Sequence, residues 1–185
     1  MNLEQKFEFT FSSEDECSNI CAHPLLKQFA GGFWSGTFRV FDIESVRVLH
    51  ENKISGNPIE CLQYSPSGNH LVIGDKKGVF TLVDPLNSYE FVKQFPSDNT
   101  TTKFSAAFSP DDRFLAFIST LNNTIDLYNL ESLSKQYSIS TSNSFIHTIF
   151  FPETKYLSEE SNKGQRSRYQ LTALTCDSKI KCFDL

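Results

Sequence analysis

An all-β fold assembled from about four repeated antiparallel sheets is what this sequence predicts, and three observations carry that prediction. A hydrophobic strand ending at a proline recurs four times, at Pro24, Pro66, Pro110 and Pro152, in steps of 42, 44 and 42 residues. Downstream of each proline a further strand closes on a bulky apolar residue followed by Asp or Asn: Phe41-Asp42, Val83-Asp84, Tyr128-Asn129 and Phe183-Asp184. Between these landmarks apolar and polar residues alternate with the period of two that a half-buried strand requires. A period of roughly 40 to 45 residues with several strands per unit marks small sheets stacked radially, as in a β-propeller.

Taken in order, the first strands run through Ile20-Cys21-Ala22, Leu62-Gln63-Tyr64, Ala106-Ala107-Phe108 and Thr148-Ile149-Phe150. Turn formers such as Ser65-Pro66-Ser67-Gly68-Asn69 and Ser109-Pro110-Asp111-Asp112 follow, where Pro presets φ and Asp, Asn or Gly accept turn geometry. The second strands are predicted at residues 28–33, 70–75, 114–119 and 170–175. Hairpin turns then fall at Ser35-Gly36, Lys76-Lys77-Gly78, Asn122-Asn123 and Asp177-Ser178-Lys179. In the third strands Phe38 and Val40, Phe80 and Leu82, Ile125 and Leu127, and Ile180 and Cys182 share an apolar face, with Arg39, Thr81, Asp126 and Lys181 on the reverse. Outer strands are expected at 47–50, 90–95 and 135–139.

The units so defined are an N-terminal strand within 1–16 and blades over 17–57, 58–100, 101–143 and 144–185. The last blade lacks an outer strand. Lys6-Phe7-Glu8-Phe9-Thr10-Phe11 alternates regularly and belongs to no complete unit, so it supplies either that missing strand or the outer strand of a preceding blade. About four blades would make either a small closed ring or a fragment of a larger propeller. Leu171 lies 19 residues after its proline where Phe29, Leu71 and Leu115 lie five after theirs, so an insert occupies 153–168. Its polar run Ser158-Glu159-Glu160-Ser161-Asn162-Lys163-Gly164-Gln165 predicts an exposed loop or hairpin.

Composition narrows the function classes. The formal net charge is −5 and the pI near 5.4, which leaves no global basic field for counterion release from nucleic acid. No stretch approaches the roughly 18 to 20 consecutive apolar residues of a membrane span. The start of the chain lacks a basic segment followed by an apolar run, so a cytoplasmic chain without membrane contact is expected. Cys17, Cys21, Cys61, Cys176 and Cys182 are an odd, scattered set, read as small hydrophobes in a reducing compartment. Asn99-Thr100-Thr101 and Asn122-Asn123-Thr124 match the glycosylation acceptor pattern but serve more simply as turn residues.

For catalysis or cofactors there is little to assemble. No P-loop, dinucleotide fingerprint, Gly-x-Ser-x-Gly elbow or His-Glu-x-x-His occurs. Cys17, Cys21 and His23 are the best metal donors by type, yet their spacing is wrong for a zinc knuckle. Gly31-Gly32 reads as a site of bulging or close packing. Glu159-Glu160 and Asp111-Asp112 sit in turns, where solvation is their role. The phenylalanines fall on alternation positions and are assigned to the core, not to base stacking. A non-enzyme with no metal, no cofactor and no small-molecule substrate is expected.

The stretch from Ser65 to Asp75, followed by Gly78-Val79-Phe80-Thr81-Leu82-Val83-Asp84, resembles a degenerate WD-repeat (WD40) blade, and the resemblance extends over residues 17 to 185. It implies a β-propeller that binds proteins. The family's Gly-His pair and Trp are absent, which removes members of the His, Ser/Thr, Asp, Trp hydrogen-bond tetrad and shifts the load to apolar packing. A narrower likeness runs through Cys21-Ala22-His23-Pro24, residues 29–36 and Arg39-Val40-Phe41-Asp42-Ile43, which is similar to a blade of the WD-repeat-containing protein 90 family of centrioles and cilia. Members of that family carry several propellers and a further microtubule-associating domain, so the resemblance implies a slice of a longer scaffold. Its partners would be proteins, among them centriolar or ciliary microtubule-associated components.

Recognition is expected in loops held by rigid sheets. Candidate contacts are Trp34 in its hairpin turn, Lys76 and Lys77 in theirs, and Lys155, Arg166 and Arg168 in the insert. An aromatic at a turn tip is an interface anchor, the alternative being a ring folded back on its own sheet. An adaptor of RNA-associated or ubiquitin-ligase type is the other interaction role compatible with the same sequence.

Overall fold

Each repeat folds into its own antiparallel sheet, strand following strand in chain order. The computed structural model describes residues 8, 10, 15–95, 105–119, 124–141, 146–152 and 170–185. The chain divides into two compact units, Met1–Thr102 and Lys103–Leu185. In the first unit, β1 (Cys17–Ala22), β2 (Gln28–Phe33), β3 (Thr37–Asp42) and β4 (Arg47–Lys53) form one four-stranded sheet. A second comprises β5 (Ile59–Tyr64), β6 (Leu71–Asp75), β7 (Phe80–Asp84) and β8 (Glu90–Phe95). In the second unit, β9 (Ala106–Phe108), β10 (Phe114–Ser119), β11 (Thr124–Asn129) and β12 (Ser134–Ser140) make a four-stranded sheet. There, β13 (Ile146–Phe150), β14 (Gln170–Thr175) and β15 (Ile180–Asp184) make a three-stranded sheet among the described residues. The insert over 153–168 lies outside the described residues. So does most of the expected N-terminal strand; within its Lys6–Phe11 core, Glu8 and Thr10 are described and neither is in a strand.

The Asp or Asn that ends the third strand has a local task in the first three sheets. Asp42 accepts hydrogen bonds from the amide and hydroxyl of Ser45 (2.6 and 2.7 Å), Asp84 from the amides of Leu86 and Asn87 (2.9 and 3.3 Å), and Asn129 from the amide and hydroxyl of Ser132 (2.8 and 3.1 Å). These side-chain-to-backbone bonds close the turn into the outer strand. The same turns place Val46, Tyr89 and Leu133 at φ of 55°, 58° and 52°, a region side chains seldom enter. Each outer strand then pairs with its neighbour through a register shift at the equivalent place, Val40/Phe41, Leu82/Val83 and Leu127/Tyr128.

Packing explains why the third strands need one apolar face. In the first unit Ala30, Phe38, Val40, Ile59, Leu62, Tyr64, Leu71, Ile73, Val83 and Tyr89 form a single buried cluster drawn from both sheets. Full burial of each large side chain is worth about 1.5–3 kcal/mol. The sheets approach closely at Gly32, where a Cβ would lie 2.5 Å from Ile59 Cγ2, so this strand glycine serves close packing. Inner strands β1 and β5 are also stitched by polar atoms. Ser18 Oγ donates to the Ile59 carbonyl, Asn19 Nδ2 to the Glu60 carbonyl (3.3 Å), and the Tyr64 amide to Cys21 Sγ (3.4 Å).

The second unit repeats the device, with Ala116, Ile118, Ile125, Leu127, Ile146, Ile149 and Leu171 in its core and the Ile149 amide donating to Ser105 Oγ at 3.2 Å. Here one expectation needs correction. Ile180 is 71% exposed and Cys182 is exposed too, whereas the matching residues of the other third strands are buried. Among the described residues no fourth strand pairs with β15 to cover that edge.

Five aromatic rings run through the first unit. His23 packs on Tyr64 (centroids 4.8 Å), the Tyr64 and Tyr89 hydroxyls meet at 3.0 Å, and His50 lies 4.9 Å from Tyr89 and 5.3 Å from Phe38. His23 Nδ1 accepts from the amides of Leu25 (3.1 Å) and Leu26 (3.0 Å), so that nitrogen holds no proton. His50 Nε2 is buried without a hydrogen-bond partner among the described residues. Desolvation lowers the pKa of both imidazoles, opposed at His23 by a smaller pull from the Gly68 backbone.

Two predictions follow from this packing. Gly36→Ala, at φ +82° with a Cβ placed 2.1 Å from the Ser55 carbonyl, destabilises the first unit by about 2–4 kcal/mol. Gly56→Ala, with nothing within 4 Å, stays close to wild type, as read from urea unfolding midpoints. The stabilising share of neutral His23 and His50 is fully present above the unfolded imidazole pKa of about 6.5 and is lost as pH falls through their lower folded values. Stability of the first unit therefore drops on acidification below that pH. His23→Asn, whose Oδ1 can accept the same two amides, flattens the profile measured by thermal unfolding against pH.

Candidate protein-binding surface

Two hairpin turns of the first unit converge at one sheet end, and each is fixed by its backbone. The turn between β2 and β3 carries Trp34 and Ser35. The Trp34 amide donates to the Glu16 carbonyl (3.0 Å), and the Ser35 amide to Asp15 Oδ1 (3.1 Å). Asp15 also holds Arg39 at 3.0 Å, and the Arg39 guanidinium lies 4.3 Å from the Phe33 ring centre and 2.7 Å from Glu51. At Gly36 the chain enters the left-handed region, and its carbonyl receives the amides of Ile54 (3.1 Å) and Ser55 (3.2 Å). The loop that joins the two sheets is thereby tied to this turn.

That loop reaches the second turn through Asp75, a buried carboxylate at the end of β6. Its Oδ2 accepts from Ser55 Oγ (2.5 Å) and Asn57 Nδ2 (3.1 Å), and its Oδ1 from the amides of Lys77 (2.9 Å) and Val79 (3.0 Å). The Lys76 amide donates to the Pro58 carbonyl at 2.8 Å. A chain of bonds thus leads from Gly36 through Ser55 and Asn57 to Asp75 and Lys76. Its result is visible at the surface. Trp34 is 56% exposed, and Lys76 Nζ sits 5.7 Å from the centre of its ring, within cation–π range.

Of the residues expected to make contacts, Trp34 and Lys76 are therefore brought together, with Lys77 adjacent in the same turn. Lys155, Arg166 and Arg168 lie outside the described residues. Sequence reasoning did not single out Asp75 or Asp15, which position this surface without forming it. The signal for Asp75 was its place before Lys76-Lys77-Gly78, the pattern of a turn-closing aspartate. The Ser55–Asn57–Asp75 network braces this end of the two sheets.

The candidate metal donors are spent on the backbone: Cys17 Sγ donates to the Asn19 carbonyl, Cys21 Sγ accepts from Tyr64, and His23 Nδ1 accepts two amides. Among the described residues no three His, Cys, Asp or Glu side chains cluster as metal ligands. Burial pushes both thiols above the ordinary cysteine range, the unreactive direction. Among the described residues no helix is long and apolar enough to cross a membrane. The second unit has a cleft of about 570 Å³ lined by Tyr137, Ser138, Ile139, Cys182, Phe183, Asp184 and Leu185.

Four sheets of this pattern, one per repeat, are those of a β-propeller. The Cps50 (Swd1) β-propeller domain of Myceliophteria thermophila superposes with a TM-score of 0.74 over 93% of this chain and 55% of its own, at 14% identity. WD repeat-containing protein 90 of Xenopus tropicalis is 28% identical over 145 residues, 76% of this chain and 8% of its own length. Centriole proteome protein 16 of Chlamydomonas reinhardtii is 30% identical over 94 residues, 51% of this chain and 4% of its own length. This chain thus spans less than a tenth of either of the two relatives described. No family profile matches the sequence. In fold the chain is a set of β-propeller blades, and in sequence it is similar to WD repeat-containing proteins.

The bracing predicts a division between two kinds of substitution. Asp75→Ala strands the Ser55, Asn57, Lys77 and Val79 donors and costs about 2–4 kcal/mol. Lys76→Met, on the exposed side, leaves stability within about 0.5 kcal/mol of wild type. It changes the emission of Trp34, the single tryptophan of the chain, which fluorescence and urea unfolding record together.

Proposed function

We propose that this chain is a non-catalytic protein-interaction scaffold whose contact surface includes the Trp34 and Lys76–Lys77 turns, and that it works in centriolar or ciliary assembly. One observation carries the first part: an exposed tryptophan held on a rigid turn beside a lysine of the neighbouring sheet. Large, stiff aromatic side chains with a charged neighbour are the usual anchors of protein interfaces. The loops' rigidity lowers the entropy cost of binding. The location is supported by the relatives' names, one a protein of a centriole proteome and one a WD repeat-containing protein 90. The insert with Lys155, Arg166 and Arg168 is a second contact element in this proposal, and each repeat from residue 17 onward is one blade.

Affinity purification from ciliated cells, with the tagged chain also imaged against a centriole marker, tests both parts. Recovery of centriolar proteins with wild type, and their loss with Trp34→Ala plus Lys76→Ala in a chain that remains folded, is the expected outcome. Deleting 153–168 separates the insert from the turns, since partners unaffected by the deletion do not use it. A double variant that keeps every partner removes this surface from the proposal, and a diffuse signal with no centriolar protein recovered removes the location.

A further inference from the structure

We infer that the partner segment taken by the Trp34–Lys76 surface is an acidic polypeptide, with a carboxylate meeting Lys76 and an apolar side chain covering the exposed part of the Trp34 ring. This rests on the reading of that surface as protein-binding. It goes further by assigning the chemistry of what binds.

The inference comes from where the nearby negative charges are directed. The protein carries a net charge of −5, so acidic groups are in general supply. At this sheet end, however, two of them are committed inward. Asp75 has both oxygens occupied by Ser55, Asn57 and the amides of Lys77 and Val79, and is buried. Asp15 divides its oxygens between the Ser35 amide and Arg39. Lys76 forms no ion pair with a described carboxylate, and its ammonium is placed over the Trp34 ring instead.

A cation resting on an indole is available to an incoming anion, because the ring attracts the charge without neutralising it. A carboxylate arriving at Lys76 gains a charge-assisted contact in a setting less hydrated than open solvent, while its neighbouring side chain buries indole surface. Lys77, whose amide is pinned by Asp75, adds positive charge to the same turn. A basic segment would meet like charge at Lys76, which is held over the ring it must cover.

The single tryptophan supplies the assay. The full chain is titrated with a short synthetic peptide alternating glutamate with leucine, with the same peptide carrying lysine for glutamate, and with a single-stranded oligonucleotide, while Trp34 emission is followed. Saturable binding of the acidic peptide with a blue shift is expected, weakening with salt and by about tenfold with Lys76→Glu, the size of one charge contact. The lysine peptide is expected to produce no saturable change. Far-UV circular dichroism confirms that the variants are folded.

Equal binding of both peptides, or of neither, overturns the inference. Binding that is lost in Trp34→Ala but unchanged in Lys76→Glu overturns the acidic preference while leaving the surface as a protein contact. An oligonucleotide that binds as tightly as the acidic peptide overturns the assignment to a polypeptide.

Discussion

Face-to-face burial of neighbouring sheets is the constraint on which everything else in this chain depends. A four-stranded sheet of about six residues per strand has two faces and too few side chains to hide both. Phe38 and Val40 of one sheet find cover only against Ile59, Leu62 and Leu71 of the next. Gly32 is small because Ile59 sits where its side chain would be. Ser18 and Asn19 spend their polar groups on the carbonyls of β5 because two inner strands meet there without a backbone ladder between them. Recognition loops are held still as a by-product of that packing.

The candidate surface shows how fixed turns become a presenting device. Apart from the cation–π contact between them, Trp34 and Lys76 are not positioned through their side chains. Each is constrained by what its backbone must do, and Asp75 is the hinge-pin because one carboxylate serves two turn amides and two side chains of the joining loop. Mutational sensitivity and chemical contact are therefore separated: residues that matter for geometry lie beneath, and residues that touch a partner lie above.

Much of the fold was legible in the sequence because strand alternation is local information. Most strand limits could be read from apolar periodicity and turn residues, and β2, β8, β10 and β14 coincide with the expected ranges. What was not legible is non-local. Ile180 and Cys182 carry the pattern of a covered face but lie exposed, since alternation reports which side could be buried and not whether anything arrives to bury it. The pairing of Trp34 with Lys76 joins residues more than forty positions apart and follows from hydrogen bonds through Ser55 and Asn57, which have no periodic signature. The family's Trp and Gly-His landmarks are absent, yet Asp42, Asp84 and Asn129 kept their place because a turn-closing oxygen is needed whichever residue precedes it.

Val46, Tyr89 and Leu133 occupy the same left-handed niche in successive copies while sharing no chemistry. What has been handed down from copy to copy is a sequence of torsion angles, with residue identity free to drift wherever neighbouring contacts absorb the local strain. Shape specified this way does not need shared residues, and 93% of this chain superposes on the Cps50 propeller domain with only one residue in seven identical.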